Sequence, residues 1–273
     1  MGSMGGSNTL ESSEDTTGKG GCQKLKLQYR FEPGDSSLSG KLQCLDSLLS
    51  CVFQSSPNTR DRVVIVSNFT QTLDIIQGLC DYRCWKLLRL DGTTNTSCRQ
   101  QLVDHFNNAL GDELVFLLSS KAGGIGLNLI GANRLVLFDP DWNPAIDAQA
   151  MARVWREGQH KPVIIYRLLT TGSIEEKIYQ RQVMKGEVAA TIEGHTDSGI
   201  ASKRSGQHFS REELQELFTL RLDTLCDTSD LLAYSKVPIF EDWKDYSRNV
   251  EDLALKDAIH DGTITFVHQN QEK

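Results

Sequence analysis

No stretch of the 273 residues stays apolar for the roughly 20 positions that a bilayer-spanning helix needs, so no membrane partner is expected. No charged-then-apolar leader opens the chain, and a secretory route is not expected either. Zinc-ligand spacing is missing. Seven cysteines lie at Cys22, Cys44, Cys51, Cys80, Cys84, Cys98 and Cys226, and only Cys80 and Cys84 are close enough to share a helical turn. An odd count without a leader argues for buried, reduced thiols over a disulfide framework or a metal cluster. The six histidines are scattered, so no Ser/His/Asp arrangement stands out. The P-loop pattern G-x-x-x-x-G-K-S/T occurs nowhere, which excludes a self-sufficient P-loop nucleotidase. A dinucleotide fingerprint fails as well: Gly124-x-Gly126-x-x-Leu129 lacks the third glycine, which disfavours a nicotinamide oxidoreductase.

What is present is a charge asymmetry and a repeating pattern. The net charge of −7 sits in the tail, where residues 191–273 carry 16 acidic against 9 basic groups. Residues 41–190 carry 15 against 16 and are close to neutral, which leaves room for a local basic face. Residues 1–37 are rich in Gly, Ser and Thr without periodicity and read as a disordered leader. Short β-branched or aliphatic runs then alternate with amphipathic stretches. Arg62–Ser67, Lys86–Leu90, Leu114–Ser119, Arg134–Phe138 and Val163–Leu168 read as buried strands. Helical spacing covers Leu42–Val52, Thr70–Cys80, Ser97–Asn107, Pro144–Glu157 and Ser173–Val188. Strands alternating with helices predict one α/β domain over 38–190, a doubly wound and mainly parallel sheet. The acidic tail, 191–273, predicts a short helix over Phe209–Leu220, another near Asn249–Ile259, and a strand over Thr263–His268.

In such sheets ligands bind beyond the carboxyl ends of the strands. The loop Ser119-Ser120-Lys121-Ala122-Gly123-Gly124 offers hydroxyls, a cation and close backbone approach, which suits phosphate oxygens. Arg89-Leu90-Asp91-Gly92-Thr93 and Ser67-Asn68-Phe69-Thr70 offer similar donors. Asp139-Pro140-Asp141 reads as a structural turn and not as a metal-binding pair. On the predicted helix from Pro144, Gln149, Arg153 and Arg156 are spaced i, i+4 and i+7, and so project from one face. Ala148, Ala152 and Trp155 form the neighbouring stripe expected to pack on the sheet. Two guanidiniums on one side suit bidentate phosphate binding. A solvated face paired to Asp147 or Glu157 would read the same way.

Taken together and in order, these segments resemble a known family. SNFTQTLD (Ser67–Asp74), RLDGTT (Arg89–Thr94), LLSSKAGGIGLNLIGANRLVLFDPDWNP (Leu117–Pro144) and DAQAMARVWREGQ (Asp147–Gln159) look like the second motor lobe of Swi/Snf-type DNA-translocating ATPases. RLLTTGSIEEKIYQRQ (Arg167–Gln182) resembles the segment that braces the two lobes. The wording is closest to the homologous-recombination branch, Rad fifty-four and its B form, with LLTTGSIEEKIYQRQ and FSREELQELFTL favouring the B form. That branch often ends in a Cys/His tail proposed to bind zinc. Cys226–Leu232 has its flavour without the His or the second Cys, so no zinc site is carried over.

The resemblance implies roles position by position. Arg153 and Arg156 match arginine fingers that complete an ATP site from across an interlobe cleft, and Gly124 and Gln149 match residues lining that cleft. Ser67, Asn68, Arg89, Gly92, Thr93, Ser119, Ser120 and Lys121 match contacts that track the double-stranded DNA backbone. ATP and magnesium are implied only in a complete two-lobe enzyme, because the P-loop lysine and the DEAH-type carboxylates belong to an N-terminal motor lobe that these residues do not include. The chain alone is therefore expected to be inactive, with the upstream lobe absent. A nuclear location, a RecA-type recombinase and chromatin are further implied partners and setting. The competing expectation is a non-catalytic interaction fragment that docks a recombinase, chromatin or a partner motor lobe.

Overall fold

The computed structural model describes residues 33–54, 61–122, 126–183, 210–234 and 244–270. Five short strands form one sheet: β1 (Val63–Ser67), β2 (Leu87–Leu90), β3 (Val115–Ser119), β4 (Arg134–Leu137) and β5 (Ile164–Arg167). Their order is β2-β3-β1-β4-β5, and every neighbouring pair is parallel. Parallel strands require crossovers. Helix α1 (Gly40–Gln54) precedes the sheet, and α2 (Thr70–Tyr82), α3 (Thr96–Asn107) and α4 (Pro144–Met151) lie on connections between strands. Further helices follow: α5 (174–183), α6 (Arg211–Leu217), α7 (Asp227–Tyr234) and α8 (Leu253–His260).

The strand alternation divides the core in two. Val63 and Ile65 of β1 join Leu45, Leu49, Ile76, Leu117 and Val136 on one face. Val64 and Val66 join Phe106, Phe116, Leu118, Leu135 and Val154 on the other. Both faces are covered, so β1 and β3 are buried along their whole length. Their register sets Ser67 opposite Ser119, and the two strands end together.

The tail is part of this body. Ala254 and Ala258 of α8 are buried, Ala254 in the α1 side of the core. Asp252 caps α8 by accepting from the Leu255 amide at 3.2 Å. The same carboxylate takes Arg134 Nη1 at 2.9 Å and the Tyr166 hydroxyl at 2.6 Å. Arg134 also meets Asp61 at 2.9 Å and donates to the Tyr166 hydroxyl. The acidic tail thus spends a carboxylate on a cation at the β4–β5 side of the sheet.

Four expectations change. Helix α4 ends at Met151 and not at Glu157; beyond it the chain tightens to three-residue spacing, Arg153 N to Ala150 O and Val154 N to Met151 O, both 3.1 Å. Its inward face is Asp147, Ala150 and Val154, while Ala148, Ala152 and Trp155 are exposed. A buried carboxylate disguised that face in the sequence. Residues 263–268 form no strand; Tyr246 N instead bonds Val267 O at 2.8 Å. Cys84 is exposed, in a left-handed backbone conformation at φ 57°, unlike buried Cys80. Helix α7 has no counterpart in the sequence pattern. The expected leader up to residue 32, and the end of the brace helix beyond 183, lie outside the described residues. No described helix is long and apolar enough to cross a membrane.

Candidate functional site

The carboxyl edge of the sheet is organised by Asp139, which follows β4 and is buried. One oxygen accepts the Ser67 hydroxyl at 2.5 Å, and the other accepts the Asn68 amide at 2.7 Å. Asn68 Oδ1 accepts from the Ser120 hydroxyl at 2.6 Å, and the Ser120 amide reaches Ser67 O at 3.1 Å. The loops after β1, β3 and β4 are therefore one bonded unit. Burial pushes the Asp139 carboxyl above its usual value, and the hydrogen bonds from Ser67 and Asn68 oppose that push. Asp139 is a structural acceptor with both oxygens used, as the sequence suggested for this turn.

The expected DNA-contact residues divide into two sets. Asn68 and Ser120 are half-buried, and Lys121 is exposed with no ion-pair partner among the described residues. Gly92 and Thr93 are exposed on the next loop. Thr93 donates its hydroxyl to Asp91 at 2.6 Å, while a Cβ added at Gly92 would meet nothing within 4 Å. These five stand where a phosphate can reach them. Ser67 and Ser119 do not. Both are buried as the last residues of central strands, and the Ser67 hydroxyl is spent on Asp139. Arg89 differs again. Its guanidinium pairs with Asp74 at 2.6 Å and Asp91 at 2.8 Å, and donates to Gln77 Oε1 at 3.0 Å. Burial works against its charge, yet the two carboxylates hold it above the usual guanidinium value. Arg89 thus ties the end of β2 to α2.

The arginine pair lies elsewhere. Eight helical residues rise about 12 Å, and a four-residue strand spans about 13 Å. By Arg153 the chain has run back along the sheet. There the Arg153 carbonyl accepts the Leu129 amide at 2.9 Å, and Gln159 donates to Ala132 O at 2.7 Å, just ahead of β4. The arginines therefore do not share the carboxyl edge with the phosphate-facing loops. Arg153 is half-buried and Arg156 exposed, and neither forms an ion pair among the described residues. The pairing to Asp147 or Glu157 that the sequence allowed is not made. Burial, and then the positive charge of Arg156, hold the Arg153 guanidinium below its usual value. Two like charges stand together without an acidic partner among the described residues. Gln149 is exposed on α4, and Gly124 lies outside the described residues.

Sequence reasoning missed the parts that hold these loops. Asp147 is buried and accepts Gln182 Nε2 at 2.9 Å, with Arg167 Nη2 at 3.8 Å. Gln182 also donates to Asp141 O at 2.5 Å. Glu176 of α5, also buried, accepts from the Gly172 and Thr228 amides at 2.7 Å each and from the Thr228 hydroxyl at 2.9 Å. No local pattern marks such residues, because Gln182, the partner of Asp147, and Thr228, the partner of Glu176, are 35 and 52 positions away.

The helicase conserved C-terminal domain family matches residues 40–158. The "DNA repair protein rhp54" of Schizosaccharomyces pombe is 52% identical over 218 residues, covering 77% of this chain and 24% of that protein. The "DNA repair and recombination protein RAD54-like" of Danio rerio is 51% identical over 211 residues (77% and 27%), and that of Gallus gallus 52% over 202 (74% and 26%). The chain thus spans about a quarter of the length of these curated relatives. A solved structure of the C-terminal part of the Fun30 ATPase domain is 44% identical with a TM-score of 0.49, over 52% of this chain and 44% of that one, an overlap too partial to add to the sequence matches. The parallel sheet, the helicase C-terminal match and the identities near 50% lead to one assignment: the α/β domain of this chain is the C-terminal lobe of a Rad54-type Swi/Snf ATPase.

Proposed function

We propose that this chain supplies the second lobe of an ATP-dependent double-stranded DNA translocase acting in homologous recombination and repair in the nucleus. The observation that carries this reading is the pair Arg153 and Arg156, which has no acidic partner among the described residues. Two neighbouring guanidiniums without a carboxylate repel one another, and an anionic ligand removes that cost. The ATP γ-phosphate, presented by an N-terminal lobe, is such a ligand. Magnesium fits less well, because Asp139 and Asp147 are buried and hydrogen-bonded. The metal and the P-loop then belong to the other lobe.

The two regions divide the work. Arg153 and Arg156 offset charge that develops on the phosphoryl group, with Gln149 beside them. Asn68, Ser120, Lys121, Gly92 and Thr93 hold DNA phosphates without reading sequence. The bonded unit of Ser67, Asp139, Asn68 and Ser120 keeps that grip rigid while the lobe moves. Bound ATP supplies the free energy for closing the two lobes. Placement in the B form within the branch rests on the segments Leu168–Gln182 and Phe209–Leu220 alone. A recombinase and chromatin are the partners this setting implies.

The test is a fusion of this chain to the preceding portion of the Danio rerio relative, with ATP hydrolysis and DNA binding measured side by side. Arg156→Ala is expected to lower hydrolysis by roughly 10³–10⁵ with DNA affinity retained. Equal loss of both activities contradicts the assignment. A second reading, a non-catalytic lobe that docks a protein partner, is favoured by one feature. Phe218, Leu220, Leu222 and Leu225 are 59–86% exposed in a single short segment. A pull-down that retains a partner without DNA or ATP, and loses it with Leu222→Asp, supports that reading instead.

A further inference from the structure

Phe69 occupies the N-cap position of α2, with extended backbone at φ −119°, ψ 127°, and gives the helix no side-chain cap. Ser, Thr, Asp or Asn is favoured there, because its side-chain oxygen accepts a free helix amide. Phe69 forgoes that stabilisation and gains no burial in exchange. Its ring is 59% exposed, although Leu73, Ile76 and Leu79 of the same helix are fully buried. The backbone beneath it is fixed. The Phe69 amide donates to the Ser67 hydroxyl at 3.1 Å, and its carbonyl accepts the Leu73 amide at 3.2 Å. An exposed aromatic on a rigid mount, at a position where a polar residue would stabilise the fold, is a break in local consistency of the kind that function maintains.

Its surroundings indicate what the ring meets. On one side Asn68 is bonded to Ser120, which leads into exposed Lys121. On the other, Arg89 reaches the Thr70 carbonyl at 3.5 Å and Asp74 at 2.6 Å, which brings the Gly92–Thr93 loop beside the start of α2. With strand order β2-β3-β1, the loop after β3 lies between the loops after β2 and β1, and residue 69 stands at the β1 end of that row. The ring stands beside one row of phosphate-facing donors.

We propose that Phe69 is an apolar contact to duplex DNA, its ring set against a deoxyribose or base edge beside phosphates held by Asn68, Ser120 and Lys121 and, further along the same edge of the sheet, by Gly92 and Thr93. The inference rests on the DNA-backbone reading above and adds to it a contact of different chemistry. Phosphate contacts release counterions and weaken with salt, whereas an apolar contact to a sugar or base step carries no such dependence. It tolerates any sequence, which suits a protein that tracks along DNA.

The experiment is fluorescence anisotropy of a labelled duplex titrated with the full chain, repeated from about 50 to 200 mM salt, with thermal melts of each variant. Phe69→Ala is expected to weaken binding roughly tenfold at every salt concentration, with the slope of log affinity against log salt unchanged. Phe69→Tyr is expected to bind as the unaltered chain does. Phe69→Ser is expected to weaken binding as much as Phe69→Ala while raising Tm by about 2–4 °C, because it restores a cap. Variants that bind as tightly as the unaltered chain overturn this inference and leave the DNA reading standing. A fall in the salt slope with Phe69→Ala, or a fall in Tm with Phe69→Ser, marks the ring as a structural support and overturns it too. No binding by the unaltered chain overturns both readings.

Discussion

Gln182 of α5 donates to Asp147 of α4 at 2.9 Å, with both residues buried. The bond joins the brace segment to the helix that leads into Arg153 and Arg156. Asp141 N at 3.3 Å and Arg167 Nη2 at 3.8 Å complete the surroundings of the carboxylate. Gln182→Ala leaves it with only these longer contacts. The expected cost is about 1–3 kcal/mol of folding stability, read by urea denaturation; an unchanged midpoint and slope would contradict the role.

The same carboxylate sets a pH dependence. Burial raises the Asp147 carboxyl above its usual value, with Gln182 first and then Arg167 opposing. The folded state therefore keeps a proton at a pH where the unfolded chain has lost it. That contribution is full below the ordinary carboxylate value of about 3.9, and it is lost as pH rises through the raised one. The stability of the unaltered protein minus that of Asp147→Asn should fall across this window in denaturant melts. A difference that is flat or rises with pH contradicts the assignment.

Asp252 tests whether the tail belongs to the domain. Its carboxylate serves Arg134, Tyr166 and the α8 amide, and the ion-paired side chains are only 12–14% exposed. Asp252→Ala should cost about 3 kcal/mol, because Arg134 loses one of two acidic partners. A cost within about 0.5 kcal/mol would place the contact outside the folding unit.

Lys121 carries no partner among the described residues, so its charge is free for phosphate. Lys121→Ala should weaken duplex binding and lower the salt slope by about 0.9 without altering Tm. An unchanged slope contradicts a phosphate contact at that position.

Much of this was legible in the sequence for a physical reason. Short continuous apolar runs marked all five strands, and helical spacing marked α1, α2 and α3. What failed was inference from residue type to exposure. Ser67 and Ser119 looked like surface hydroxyls, but strand position buries them. Arg89 looked like a phosphate ligand, but Asp74 and Asp91 take its charge. Asp147 looked solvated and faces inward, which hid the buried side of α4 and the end of the helix. Ser67, Ser119 and Asp147 are decided by strand position and by partners far along the chain, where local pattern carries no information, whereas Arg89 is held by nearby Asp91 as well as by Asp74.

ATP hydrolysis with double-stranded DNA, measured for this chain before and after the upstream lobe of the Danio rerio relative is supplied in trans or by fusion, bears most directly on the arginine pair. No turnover by the chain alone, DNA-stimulated turnover once the lobe is supplied, and its loss with Arg153→Ala or Arg156→Ala are the results expected. Turnover by the chain alone, or a supplied lobe that works equally well with both arginines replaced, would contradict it.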